Sequence, residues 1–260
     1  MPYIDSHCHL DFSVLYDQLD VIFTQAQKNG VSQFIVPSVS ADNIEKVRLL
    51  AQRYQYVHPA FGLHPCFMDK HSLADLIYLA EKLDTYQPVA LGEIGLDFFI
   101  ATTKEQQSQQ IYLFEQQLQL AQDRGLAVIL HVRKAHDQVL LSLKKSGFSR
   151  GGSVHAFNGS LEQAHRYIKA FGFKLGFGGT LTYEGSKKIR KLAAQLPLSS
   201  ILLETDAPDM ALSGMKEDYN QPSNIKTIAE YLYQLREEPA ELIEQQVYLN
   251  TCQCFKLNSN

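Results

Sequence analysis

The sequence predicts a single α/β (β/α)8 TIM barrel. Three observations carry that expectation: eight short apolar runs rich in β-branched residues, segments of helical period between them, and no linker that interrupts the alternation. The expected strands are Tyr3–His7, Gln33–Pro37, Val57–Gly62, Val89–Glu93, Ala127–His131, Gly152–His155, Lys174–Phe177 and Ile201–Asp206. Several are apolar almost throughout, as strands covered on both faces of a parallel sheet should be. After the first, Leu15, Leu19, Ile22 and Ala26 recur at the spacing of one helix face. Leu73, Leu76, Ala80 and Leu83 do so before the fourth, and Leu161, Ala164, Ile168 and Phe171 before the seventh. Ile225, Ile228, Leu232 and Leu235 continue the pattern after the eighth, and the chain beyond Pro239 reads as one further helix with Ile243 and Val247 on its core side. Gly30, Gly125, Gly147 and Gly172 stand where a helix must end before the next strand, a place that favours a left-handed residue. No Pro/Ser-rich boundary or low-complexity stretch divides the chain, so residues 1–260 are expected to form one domain.

A hydrophobic fraction of 45% supports a buried core and excludes a disordered chain. With a net charge of −4, no broad basic face is expected to coat duplex DNA. A nuclease is not excluded, because bound cations can reverse the sign of a local site. The N-terminus lacks a basic segment followed by an apolar one, and no apolar run reaches ~18 residues, so secretion and membrane spanning are not expected. Cys8, Cys66, Cys252 and Cys254 form no C-x-x-C pair, and the expectation is a reduced, cytoplasmic protein.

Polar residues gather where the strands end. His7 and His9 are two apart at or just past the end of the first strand, which puts both on one face with Cys8 turned away. Alone, such a pair is more often a polar strand end than a metal pair. The other ends change its weight: the fourth strand ends in Glu93, the fifth in His131, the sixth in His155 and the eighth in Asp206. In a barrel these ends converge on the catalytic face. A single catalytic zinc usually takes three protein ligands, and six candidates point to two divalent ions. Mixed imidazole and carboxylate donors suit zinc, manganese or iron, whereas magnesium prefers oxygen. A carboxylate is the natural bridge, and Glu93 is the better candidate because its strand lies between the histidine groups. Two such ions would leave the site net positive and attractive to an anionic substrate. A hydrogen-bonded network of the same residues is the alternative.

Four segments then resemble the TatD family of metal-dependent deoxyribonucleases: Ile4-Asp5-Ser6-His7-Cys8-His9, Gly62-Leu63-His64-Pro65, Gly92-Glu93-Ile94-Gly95-Leu96-Asp97 and Leu203-Glu204-Thr205-Asp206-Ala207-Pro208. The resemblance runs from Tyr3 to the C-terminal helix, and Gly178-Gly179-Thr180-Leu181-Thr182-Tyr183 with Asp206-Ala207-Pro208-Asp209-Met210 makes it look closest to the YjjV branch. It implies hydrolysis of DNA phosphodiesters, exonucleolytic on single strands, with two divalent ions (Zn, Mg or Mn). By family pattern His7, His9, Glu93 and Asp206 would hold one ion, and Glu93, His131 and His155 the other. His64 and Arg133 align with positions near the substrate. The fourth strand has no lysine to be carboxylated as a bridge, and Asn158 replaces the small hydroxyl residue familiar after the sixth-strand histidine.

For a phosphodiester, Asp206 is best placed to take a proton from water and return it to the leaving oxygen. Arg133 and His64 would contact the phosphate, although Arg133 reads equally as a surface or ion-pair residue. The same site could instead hydrolyse an ester or amide, in a small molecule or in D-aminoacyl-tRNA. A barrel keeping its metal for stability alone, as a binding partner, is the non-enzymatic alternative. DNA is the expected partner, with no membrane and no obligate protein partner evident. Asp97 either orients a ligand or caps a turn, and Phe98, Phe99 and Phe157 either stack on bases or pack in the core. The run Lys187, Lys188, Arg190 and Lys191 reads as a solvated helix face or a guide for a polynucleotide. His58, His71, His136 and His165 read as surface or supporting residues. Gly147-Phe148-Ser149-Arg150-Gly151 matches a nucleophile elbow by letter, but it follows a helix and precedes a strand, the reverse of the required order.

Overall fold

The eight expected strands form one parallel sheet, each paired with the next in chain order. They are β1 (Tyr3–Asp5), β2 (Val31–Pro37), β3 (Val57–Phe61), β4 (Ala90–Asp97), β5 (Ala127–Arg133), β6 (Gly152–Val154), β7 (Phe173–Phe177) and β8 (Ile201–Leu203). This is a computed structural model that describes residues 2–216 and 218–258. The first and last strands meet just past their ends, where Ser6 N–H donates to Leu203 O at 3.0 Å and Asp206 N–H to His7 O at 2.9 Å. The sheet thus curls into a nearly closed barrel with helices between its strands, the fold class the alternation predicts. Seams at the mouth put His7 and Asp206 side by side.

Strand limits differ from the sequence expectation in a way that matters for the site. His7, His155 and Asp206 lie just beyond β1, β6 and β8, in the loops, whereas β4 runs four residues past Glu93 to Asp97. A polar residue ends a strand when the chain must leave the apolar interior. Glu93 does not, because it is only 2% exposed and surrounded by inward-facing donors. The ladder to β5 shifts register between Leu91 and Ile94 around it, then resumes as far as Asp97 opposite Arg133. Resumption depends on Gly95, with φ of +145°, since a Cβ there would lie 1.9 Å from His131 O.

The helix stripes are buried with adjustments. Leu15, Leu19, Ile22 and Ala26 all face the core but are divided between the helices Ser13–Tyr16 and Leu19–Lys28. The helix Leu73–Tyr86 buries Leu76, Leu79 and Leu83, while Leu73, its first residue, is 67% exposed. Gly125 and Gly172 are left-handed caps with φ of +66° and +71°; Gly30 and Gly147 are also left-handed but one residue past the cap. The last helix, Ala240–Phe255, buries Ile243 and Val247, and its Asn250 amide donates to Leu198 O and Ile201 O, each at 2.8 Å. Among the described residues no helix is long and apolar enough to cross a membrane.

Candidate metal centre

The six side chains read from the strand ends converge at one end of the barrel. His7 Nε2 lies 3.3 Å from His9 Nε2, 3.1 Å from Glu93 Oε2 and 3.4 Å from Asp206 Oδ1. His9 Nε2 is 3.5 Å from the same Glu93 oxygen and 3.6 Å from the same Asp206 oxygen. The other Glu93 oxygen, Oε1, is 3.2 Å from His131 Nδ1 and 3.0 Å from His155 Nε2, and those two nitrogens are 3.2 Å apart. Ligands held ~2.1 Å from a common centre in a tetrahedron would be about 3.4 Å apart, so both sets of donors are spaced to share a cation. The far nitrogens of His7, His9 and His155, all Nδ1, are buried with no hydrogen-bond partner among the described residues, and that of His155 lies 3.8 Å from Glu204 Oε1. His64, Cys66 and His131 also bring donor atoms within 4.8 Å of one another. That trio is engaged otherwise: His64 Nδ1 accepts the Cys66 N–H at 3.1 Å, and His131 Nε2 faces Asp97 Oδ2 at 3.0 Å.

The electrostatics fit a cation-binding cluster. Burial opposes a charge on Glu93, yet the neighbouring His155, His64 and His7 hold its carboxyl well below the usual range. Burial, reinforced by His155, pushes His7 down to about 3. Burial also opposes protonation of His9 and His155, but Glu93 outweighs it and takes them up to about 9 and about 10. Glu93 thus favours protons on the neighbouring His9 and His155 imidazoles, while burial disfavours one on His7. Metal ligation requires the same groups deprotonated, so a cation would stand in for those protons.

Three buried carboxylates set the cluster's geometry. Asp97 Oδ1 accepts the Phe99 and Ile100 N–H groups at 2.9 and 3.2 Å, while its Oδ2 takes His131 Nε2–H and leaves Nδ1 as the lone-pair donor. Asp5 accepts from His7 N–H, Thr205 N–H and Thr205 Oγ1, and burial raises its carboxyl to about 7. These bonds steady the turn in which Asp206 adopts φ of +58°. Glu204 Oε1 accepts the Ala156 N–H beside His155, and burial raises Glu204 to about 8. Sequence reasoning assigned no role to Asp5 or Glu204. The signal was there: each stands two residues before a site residue, His7 or Asp206, and period two puts such pairs on one face.

A cavity of about 250 Å³ opens onto this cluster, lined by Glu93, His131, His155, Asp206, His64 and Arg133 among others. His64 Nε2 is 3.1 Å from Glu93 Oε1, and since its Nδ1 accepts a backbone N–H, Nε2 carries the proton and donates. The Arg133 guanidinium is exposed and lies 3.7 Å above the Phe99 ring centroid. Asn158 does not face the cavity chemistry. Its Oδ1 pairs with His136 Nε2 at 3.1 Å and its amide donates to Val132 O and Ala156 O, tying the β5 and β6 loops together. Of the basic run, Lys188 donates to Asn158 O and Arg190 to Leu181 O, so those two residues are occupied in structure.

His136, read as a surface or supporting residue, is buried, and that burial lowers it to about 4. The folded state therefore resists a proton that the unfolded chain binds below ~6.5, and stability is expected to fall as pH drops from about 6.5 to 4, by roughly 3 kcal/mol from this group. Urea titrations across that window should show a shallower loss in His136→Gln than in the parent. Parallel curves would contradict the assignment.

The sequence matches the family described as TatD related DNase over residues 4–256. It is 42% identical to the metal-dependent hydrolase YjjV of Escherichia coli K12, over 98% of each chain. It is 32% identical to the deoxyribonuclease TATDN3 of Homo sapiens, over 98% of this chain and 93% of the human one. The crystal structure of E. coli YjjV superposes with a TM-score of 0.93 at 41% identity, covering 98% of both chains. A 5-methylcytosine deaminase from Klebsiella pneumoniae, at 11% identity and a TM-score of 0.64, shares the fold alone. With a barrel of the same build and a mouth lined by imidazole and carboxylate donors, the chain belongs to the TatD family and is a metal-dependent hydrolase.

Proposed function

We propose that this hydrolase cleaves DNA phosphodiester bonds, exonucleolytically on single strands, with two divalent cations (Zn, Mg or Mn) held by the six converging residues. One observation carries the reading: the two oxygens of Glu93 divide between two donor groups. Oε2 joins His7, His9 and Asp206, and Oε1 joins His131 and His155. Bound there, divalent cations would neutralise the non-bridging phosphate oxygens and acidify an attacking water. Asp206 borders the cavity with one oxygen in the cluster, and burial raises its carboxyl. A carboxylate so placed takes the proton from the attacking water and returns it to the departing sugar oxygen. Arg133 supplies a planar pair of donors for a phosphate oxygen, and His64, on the same wall, would contact it by redirecting the Nε2–H that it gives Glu93 Oε1. The human relative's name, deoxyribonuclease TATDN3, supports the choice of DNA. The four unpaired cysteines suit a reducing, cytoplasmic setting, which is part of the reading.

The test is a substrate panel with chelator-stripped protein reloaded with Mg²⁺, Mn²⁺ or Zn²⁺. End-labelled single-stranded DNA, duplex DNA, a D-aminoacyl-tRNA and a lactone would be compared. The expected result is metal-dependent, stepwise shortening of the single strand faster than turnover of any other substrate. Turnover of the tRNA ester or lactone with the DNA left intact would overturn the DNA assignment.

A further inference from the structure

Three aromatic residues follow site positions in the chain, and the structure separates them. Phe157 is 1% exposed and Phe98 packs against the core, but Phe99 is 48% exposed. Arg133 lies over its ring at 3.7 Å and Lys134 Nζ at 4.7 Å from the centroid. Among the described residues neither cation has a carboxylate within ion-pair distance. The platform is fixed to the site. Asp97, which orients His131, also binds the Phe99 and Ile100 N–H groups, and Phe98 N–H donates to Arg133 O at 2.8 Å. The ring, the two cations and the catalytic cavity thus share the adjoining ends of β4 and β5.

Two grooves beside Met68, one of them also lined by Ile100 and Ala101 next to Phe99, include Asp69, Glu105 and Gln106 but no lysine or arginine in their lining, so the cations of this region gather at the Phe99 ring. A half-exposed aromatic ring with unpaired cations packed against it is how proteins hold single strands, the ring taking a base and the cations the backbone.

We propose that Phe99, framed by Arg133 and Lys134, is a base-stacking subsite that seats the nucleobase next to the scissile phosphodiester of a single strand. This rests on the phosphodiesterase reading above and assigns the strand its side of the cavity. Phe99 touches no reacting atom, so its effect belongs in KM.

The experiment uses the metal-loaded full chain and two labelled oligonucleotides of equal length, one ordinary and one with abasic residues flanking the cleaved bond. The parent should show a KM about 10-fold higher for the abasic strand. Phe99→Ala should raise KM on the ordinary strand about 10-fold, to the abasic value, with kcat changed less than about 2-fold. Phe99→Trp should restore the parental KM, and unchanged melting temperatures would show that both variants fold. Equal KM for the two strands in the parent, or a Phe99→Ala loss that falls on both strands alike or on kcat, would overturn the subsite. A parent that cleaves neither strand yet hydrolyses another ester of the panel would instead sink the phosphodiesterase reading, and the subsite with it.

Discussion

Glu93→Gln should fold normally and lose metal-dependent hydrolysis, with kcat down by about 1000-fold or more at saturating metal. The substitution keeps shape and volume, so β4 and its neighbours have no reason to move. What changes is the charge that the site is built around. Glu93 Oε2 stands 3.1 Å from His7 Nε2 and Oε1 3.0 Å from His155 Nε2. A glutamine must turn its NH₂ toward one of those groups, placing a donor where a cation-binding acceptor is required. Metal content should therefore fall together with activity. Activity within about 10-fold of the parent, with full metal content, would show that Glu93 is not the bridge.

Asp206→Asn should separate chemistry from binding. Its Oδ1 is one of four donors in the first group, at 3.4 Å from His7 Nε2 and 3.6 Å from His9 Nε2, and an amide oxygen preserves part of that role. An amide cannot accept a proton from water, so kcat should fall by about 100- to 10,000-fold. Loss of bound metal should be much smaller. The parent's rate should rise with pH as the Asp206 carboxyl ionises, a limb displaced upward by burial and opposed by His155 and His9. In the variant that limb should vanish from the kcat profile. A variant that keeps the limb, or whose lost rate returns fully with excess metal, would make Asp206 a ligand only.

Much of this site was legible in the sequence because a parallel barrel converts chain order into position. Every strand delivers its C-terminal end to one face, so polar residues at those ends meet without any knowledge of distances. His7, His9, His155 and Asp206 were found that way. Glu93 and His131 were found for a partly mistaken reason, since they sit within β4 and β5 and not at their ends. What stayed hidden depends on side-chain direction and on pairs distant in sequence. Nothing in the order of residues tells that His64 turns its N–H toward Glu93, or that Asp5 reaches across the barrel seam to Thr205. The fate of the aromatics was equally closed to sequence: Phe98 and Phe99 are adjacent letters, yet one packs inward and the other stands in solvent beneath Arg133. Likewise Leu76 and Leu83 of the expected stripe are buried, but Leu73 is exposed because a first-turn residue of a helix need not face the core, and Leu79 is buried where Ala80 was expected.

If Glu93 joins two cation sites, the number of ions bound per chain reveals it. Stripped protein would be dialysed to equilibrium against Mn²⁺ or Zn²⁺ and its metal counted per chain, alongside a His131→Ala/His155→Ala variant of confirmed fold. Two ions per chain are expected in the parent and one in the variant. One ion per chain in the parent at saturation, or two retained in the variant, would contradict the bridge by Glu93.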